Sequence, residues 1–460
     1  MTSSQELARF VVRLEGATLG GETVALAKGL VLDHLGCAAR GSRSPTAAAC
    51  ARMLAAIAAA QEPATAVVGG LPVRAEWAIF ANGVAAHSIE LDDTHSASSS
   101  HPGVVVLPAA LAAAELAGSS GADLLAAVVA GYEVAGRVGR ALDPAAVYAR
   151  GFHPTAIVGP LAAAATVGKL LGLCESELAH ALGIAASTSA GRLEFLHDGS
   201  WTKRFHPGHA GHSGYLAARL AEAGFTGPVT AFEGRDGMLR GYGAADREHL
   251  LVEGLGDPFE LEQTSIKPHA CCRYSQGPID LAIALAREHD LRPEAIERVR
   301  VAIASPGLIL VADPPEHKRV PRSEVEAQFS LPFALGLAIA RRRAGLEEHG
   351  AEARADAAVL AVAARVEVRS TPELDARFPA CWPAELEIEL HDGRTLRARL
   401  DHPRGDPENR LSPAELSAKF RELASVAYSE DALDEIEAAV GELDAEEGPA
   451  RLVGALRTAR

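Results

Sequence analysis

Three long segments that are apolar on almost every face set the first limit on this chain. They are residues 105–117, the run DLLAAVVAGYEVAGRVG from Asp123, and the run PTAIVGPLAAAATVGKLLGL from Pro154. A helix that is apolar all round has no face for water, so it belongs inside a bundle. Ala and Gly fill much of the apolar share, and such small side chains let helices approach closely. Aromatic residues make up only 5% of the 460 residues, too few for an aromatic-rich β-sandwich. No segment holds eighteen large apolar residues without Gly, Pro or charge, so these read as core helices and not membrane spans. Pro154 suits a first helical turn and Gly172 a helix stop. Val24, Ala27, Val31 and Leu35 form one more stripe, on a helix predicted to end near Gly36.

Near residue 267 the pattern changes period. Arg298 to Ile303 alternates polar and apolar, as a half-buried strand should, and 365–368 does so again. Residues 385–390 and 395–400 make a hairpin, with Asp392-Gly393 as its turn. Glu324 to Arg342 reads as one helical stretch between strands. The prediction is a mainly α protein. Residues 1–267 with 401–460 form a large all-helical domain, and 268–400 form a smaller α/β domain with at least three strands. The acidic run from Ser429 to Glu447 reads as a solvated helix face.

Charge excludes some functions. There are 44 Lys+Arg against 60 Asp+Glu, a formal net charge of −16, and no long basic run. Such a chain repels nucleic-acid phosphate and anionic membrane, so neither is expected as a partner. The six cysteines contain no CxxC pair, which leaves zinc ribbons and redox dithiols without support. The N-terminus shows no apolar leader pattern, and a cytoplasmic location is expected.

Histidine carries the chemical signal. His87, His95 and His101 fall in one Gly/Ser-rich window with Asp92 and Asp93; His197, His206, His209 and His212 fall in another with Lys203 and Arg204. Histidine titrates near neutrality, so such clusters suggest proton transfer or metal ligation. The three-residue spacing of His206, His209 and His212 leaves a metal-dependent hydrolase open, although Pro207 and Gly208 argue against a regular helix there. No HExxH motif, no full G-x-S-x-G elbow and no G-x-G-x-x-G after a strand is present. Cofactor-free acid–base chemistry remains. Lys203, Arg204, Lys267 and Arg273 are placed to hold the carboxylates of a small anion, whose neighbouring carbon would then release a proton more readily.

Several strings, in order, resemble the MmgE/PrpD family: Asn82 to His87, Leu91 to His95, His101-Pro102-Gly103, Gly151 to Thr155, the WTKRFHPG stretch, the KPHACCRYSQGPID stretch from Lys267, Glu326 to Pro332, and Gly405-Asp406-Pro407. The resemblance covers essentially the whole chain. It implies a large helical domain with a smaller lid-like α/β domain, a homodimer, no metal or organic cofactor, and a small anionic di- or tricarboxylate as substrate. The family includes 2-methylcitrate dehydratase, cis-aconitate decarboxylase and iminodisuccinate epimerase, so a lyase is implied first, with an epimerase as the alternative.

Carried over by motif, His101, His153, Lys203 and Lys267 are implied as catalytic. Glu90 and Thr94 are implied around the substrate; the residues themselves add Arg204 and Arg273 as supporting cations, Asp93 to orient His101 or cap a helix, and Cys272 as a small buried residue of the substrate region. Glu90 stands one methylene beyond the family's Asp. Cys272 stands where animal decarboxylases of the family have a His, and the tyrosine expected before Glu326 is absent from PPEHKRVP.

Overall fold

The computed structural model describes residues 1–57 and 73–459. The chain divides into two compact units. The larger comprises Met1–Phe195, Ser200–Thr264 and Ser412–Arg460, and the smaller comprises Leu196–Gly199 and Ser265–Leu411.

In the larger unit the helices used below are α1 (Gly21–Gly41), α2 (Ala75–Ala86), α3 (Gly103–Ala117), α4 (Gly121–Leu142), α5 (Pro154–Leu170) and α6 (Thr202–Glu222). The all-round apolar segments become α3, α4 and α5, and α3 is buried without a break from Gly103 to Ala114. The Ser120 hydroxyl caps α4 by accepting from Asp123 N, and Gly172 follows α5 with φ 72°. Among the described residues, no helix is long and apolar enough to cross a membrane.

Helix α6 departs from expectation: it runs unbroken through Pro207 and Gly208. Proline removes one i→i−4 bond, which a helix held by packing on several sides tolerates. Pro108 in α3 and Pro160 in α5 also sit in the second turn of their helices. Glycines set how closely α6 lies on its neighbours. A Cβ on Gly208 would come 2.5 Å from the Phe80 carbonyl oxygen of α2, and one on Gly214 would come 2.4 Å from the Pro160 carbonyl oxygen of α5.

The smaller unit holds α7 (Gln276–Glu288), α8 (Leu331–Arg341) and a four-stranded sheet of β1 (Ile296–Ala302), β2 (Val366–Arg369), β3 (Ala384–Leu390) and β4 (Thr395–Leu400). The order is β2–β1–β3–β4. β1 and β2 run parallel with Val299 opposite Val366, and the other pairs are antiparallel. Gly393 at φ 87° makes the β3–β4 turn. The stretch 324–342 is two helices and not one, Glu324–Gln328 and α8. Pro332 has no N–H for the ladder, and Ser330 Oγ instead accepts from Phe333 N at 3.1 Å as the cap of α8.

The chain then returns to the larger unit as α9 (Pro413–Ala424), α10 (Glu430–Gly441) and α11 (Gly448–Leu456). Here the expectation for Gly36 fails. Helix α1 continues past it to Gly41, because Gly36 is a packing glycine: its Cβ would lie 3.3 Å from Phe420 Cα of α9. The acidic side chains of α10 lie on its solvated side, while Leu433, Ile436, Ala439 and Val440 are buried.

Candidate active site

The site in the larger unit starts where α2 ends. A single tight turn, His87–Ile89, leads to Glu90 in the left-handed region at φ 57°. A residue with a β-carbon pays roughly 1–2 kcal/mol for that conformation. Longer-range contacts hold it, since the Glu90 carboxylate accepts a hydrogen bond from Lys203 Nζ in the first turn of α6. Both side chains are buried.

The loop that follows arranges two imidazoles around one carboxylate. His87 Nδ1 lies 2.8 Å from Asp92 Oδ2, and His101 Nδ1 lies 3.2 Å from the same oxygen. His101 Nδ1 also donates to the Asp93 carbonyl at 2.7 Å, with Thr94 Oγ1 at 3.3 Å. A carbonyl only accepts, so His101 carries its proton on Nδ1, which leaves Nε2 for chemistry. The Asp93 carboxyl faces the other way. It accepts from Gly103 N at 3.0 Å, at the start of α3, and from Tyr132 Oη at 2.8 Å. Burial and the neighbouring Asp92 push its pKa up to about 8, against the pull of the Tyr132 bond, so it holds a proton at neutral pH.

His153 is the N-cap residue of α5, and its Nδ1 lies 3.1 Å from Nδ1 of His206 in α6. The rings form a continuous series: His101 to His87 at 5.0 Å between centroids, His87 to His153 at 5.9 Å and His153 to His206 at 5.2 Å. Burial lowers His87 to about 4, the nearby Lys203 adding to it and Asp92 opposing it. Burial also lowers His206 to about 4, helped by His87 and Lys203, and takes His153 well below its ordinary value, helped by His206 and Lys203. These three rings are neutral at neutral pH, and a neutral imidazole can both give and take a proton. His101 lies two residues before α3, His153 caps α5 and Lys203 is in the first turn of α6, and the positive end of a helix dipole favours an anion.

His206, His209 and His212 do not assemble as ligands. Steps of three residues turn a helix face by about 60° each, and the rings diverge: His206 to His153, His209 onto Phe205 at 5.2 Å, and His212 against Trp77 at 4.8 Å. His87, Asp92 and His101 do offer three ligand atoms within 4.8 Å of one another. His87 Nδ1 and His101 Nδ1 both face the Asp92 carboxylate, and His101 Nδ1 also gives its proton to the Asp93 carbonyl. His95, from the same sequence window, lies elsewhere, with Nε2 2.9 Å from Glu260 Oε2.

Of the residues singled out in the sequence, Glu90, Asp93, Thr94, His101, His153, Lys203 and Arg204 are in the larger unit, and all but His101 are fully buried. Lys267, Cys272 and Arg273 are in the smaller unit and are buried there. Arg273 donates to Asp406 and lies over the Trp382 ring at 4.7 Å, so its charge is met within that unit. Cys272 N donates to the Gln328 carbonyl at 2.9 Å. The sequence alone places Asp92 in the His87–His101 window and His206 in a cluster suited to proton transfer or metal ligation, but it assigns neither of them a role in the site.

Comparison with known proteins identifies the family. The model of the MmgE/PrpD N-terminal domain matches residues 5–249, and that of the C-terminal domain matches residues 269–445. The chain belongs to the MmgE/PrpD family. Relatives of this MmgE/PrpD protein include a cis-aconitate decarboxylase-like protein of Aspergillus oryzae, 28% identical over 95% of this chain and 94% of the relative. The cis-aconitate decarboxylase of Aspergillus terreus is 27% identical over 95% and 92%, and that of Homo sapiens is 29% identical over 78% and 75%.

Proposed function

We propose that this protein is a cofactor-independent lyase of the MmgE/PrpD type, acting on a small tri- or dicarboxylate by proton transfer at a carbon next to a carboxylate. The observation that carries this reading is the contact series of His87, His153 and His206, buried and neutral, beside Lys203 and near helix N-terminal ends whose dipoles favour an anion. The names of the relatives support a lyase on tricarboxylates. In a decarboxylation, the bond to the departing CO₂ breaks, its electron pair stays on carbon, and an imidazole N–H supplies the replacing proton. In a dehydration, one imidazole takes the proton from the carbon while the N–H of a second imidazole protonates the neighbouring hydroxyl, which leaves as water. Lys203 would offset the charge that develops on the remaining carboxylate in either case.

The test is proton NMR of the purified protein in D₂O with cis-aconitate, 2-methylcitrate, citrate and iminodisuccinate, paired with product mass. Loss of CO₂ or water is expected. Deuterium uptake at an unchanged skeleton would replace the lyase with an epimerase, and silence across the panel would overturn the assignment to this substrate class.

A further inference from the structure

We propose that His206 is a positioning residue for His153, sharing a single proton with it across their Nδ1–Nδ1 contact and so deciding which form of His153 meets the substrate. This rests on the reading of His153 as a proton-transfer residue.

At 3.1 Å two ring nitrogens are at hydrogen-bond distance. With no proton between them two lone pairs would face each other, and with two protons two N–H groups would collide. One proton is the arrangement that satisfies both. In the neutral pair the two rings are therefore opposite tautomers. When His206 Nδ1 holds the proton, His153 carries its own on Nε2 and can act as an acid. When His153 Nδ1 holds it, His206 carries its own proton on Nε2, and His153 Nε2 is a lone pair that can act as a base; passing between the two neutral forms therefore also removes a proton from one Nε2 and adds one to the other. If His153 takes a proton from substrate at Nε2, its Nδ1 proton passes to His206, which becomes the imidazolium. Proton count and charge balance at each stage, and neither ring has to move.

The surroundings hold the pair in register. His206 is 5% exposed, and a Cβ on Gly191 would lie 3.3 Å from its ring. The Gly191 carbonyl in turn accepts from His153 N at 3.0 Å, so one glycine seats both residues. Phe195 stands edge-on to both rings. The titratable and charged groups facing the pair are His87 and His101 from the loop before α3, with Lys203 and His209 from α6. His101 is the contrast. Its Nδ1 faces a carbonyl that cannot give a proton back, so its tautomer is fixed where that of His153 can switch.

The test begins without substrate. In protein labelled with ¹⁵N-histidine, a through-hydrogen-bond coupling between two imidazole nitrogens is expected, and it should vanish in both His206→Asn and His206→Phe. Absence of that coupling in folded wild-type protein would overturn the proposal, whether or not any polycarboxylate is turned over. On a substrate that wild type converts, His206→Asn can still hydrogen-bond to His153 but cannot relay its proton. It should lose about 10- to 100-fold in kcat, with KM little changed and the acid limb of the pH profile displaced. His206→Phe should lose at least as much. An unchanged kcat and pH profile in His206→Asn, with its circular dichroism intact, would also overturn the proposal. Wild-type silence on every substrate would instead count against the lyase reading, and the coupling would still decide the shared proton.

Discussion

Glu90 occupies a backbone conformation that its β-carbon resists, and its buried carboxylate meets a buried lysine there. Removing one member of such a pair leaves the other charged and unpaired, a cost of about 3–5 kcal/mol. Lys203→Ala is therefore expected to lower the melting temperature as well as turnover. The paired change Lys203→Met with Glu90→Gln should regain most of the stability and none of the activity. Thermal melts alongside rates separate the two effects, and full activity in the paired variant would remove Lys203 from the chemistry. Glu90→Asp should be easy on the backbone, since Asp enters the left-handed region more readily, yet its reach to Lys203 is one methylene shorter. Slower turnover with an unchanged melting temperature is expected. His101 and Lys203 could be singled out from sequence because clustered histidine and lysine in Gly/Ser-rich windows already speak of proton transfer, whereas His153 stands out only through the family resemblance of Gly151 to Thr155. The His153–His206 contact could not, because it joins residues 53 positions apart and exists only once α5 and α6 have packed.

The elements show why some boundaries are legible and others are not. α3, α4 and α5 follow from side chains apolar on every face, a local property. Gly36 and Gly208 look like helix breakers in sequence, but each faces backbone of another helix, and only that partner explains the missing side chain. Gly208→Ala would drive a methyl toward the Phe80 carbonyl and should destabilise by about 1–3 kcal/mol. Gly454→Ala in α11 is the matched control. Nothing lies within 4 Å of its Cβ position, and helix propensity alone should stabilise by up to about 1 kcal/mol. Urea midpoints of the two variants should move in opposite directions. Pro207 misleads for a related reason: α6 is held by α2 and α5 along its length and does not depend on its own ladder.

Across the whole molecule, buried histidines govern the response to acid. Burial lowers His34, His87, His206 and His349 to about 4 each, Asp92 opposing it at His34 and His87. Between there and the ordinary value of about 6.5 the unfolded chain binds protons that the fold refuses, so stability falls as pH drops through this window. Asp93 acts in the opposite sense, because its raised pKa makes the fold the better proton binder over the same range. One carboxyl against these four imidazoles and His153, which burial also lowers, leaves the histidines in control. The melting temperature is expected to decline steadily from pH 6.5 to 4, and a flat profile there would mean that these rings are solvated. The prolines of α3, α5 and α6 bear on a different kind of opening. Each takes one rung from the ladder just beyond a helix start, and those starts hold His101, His153 and Lys203. The first turns are thus seams, able to loosen while the helices behind them stay shut. In an amide-exchange map of α3, α5 and α6, the protein should begin to breathe at the places where it is proposed to react.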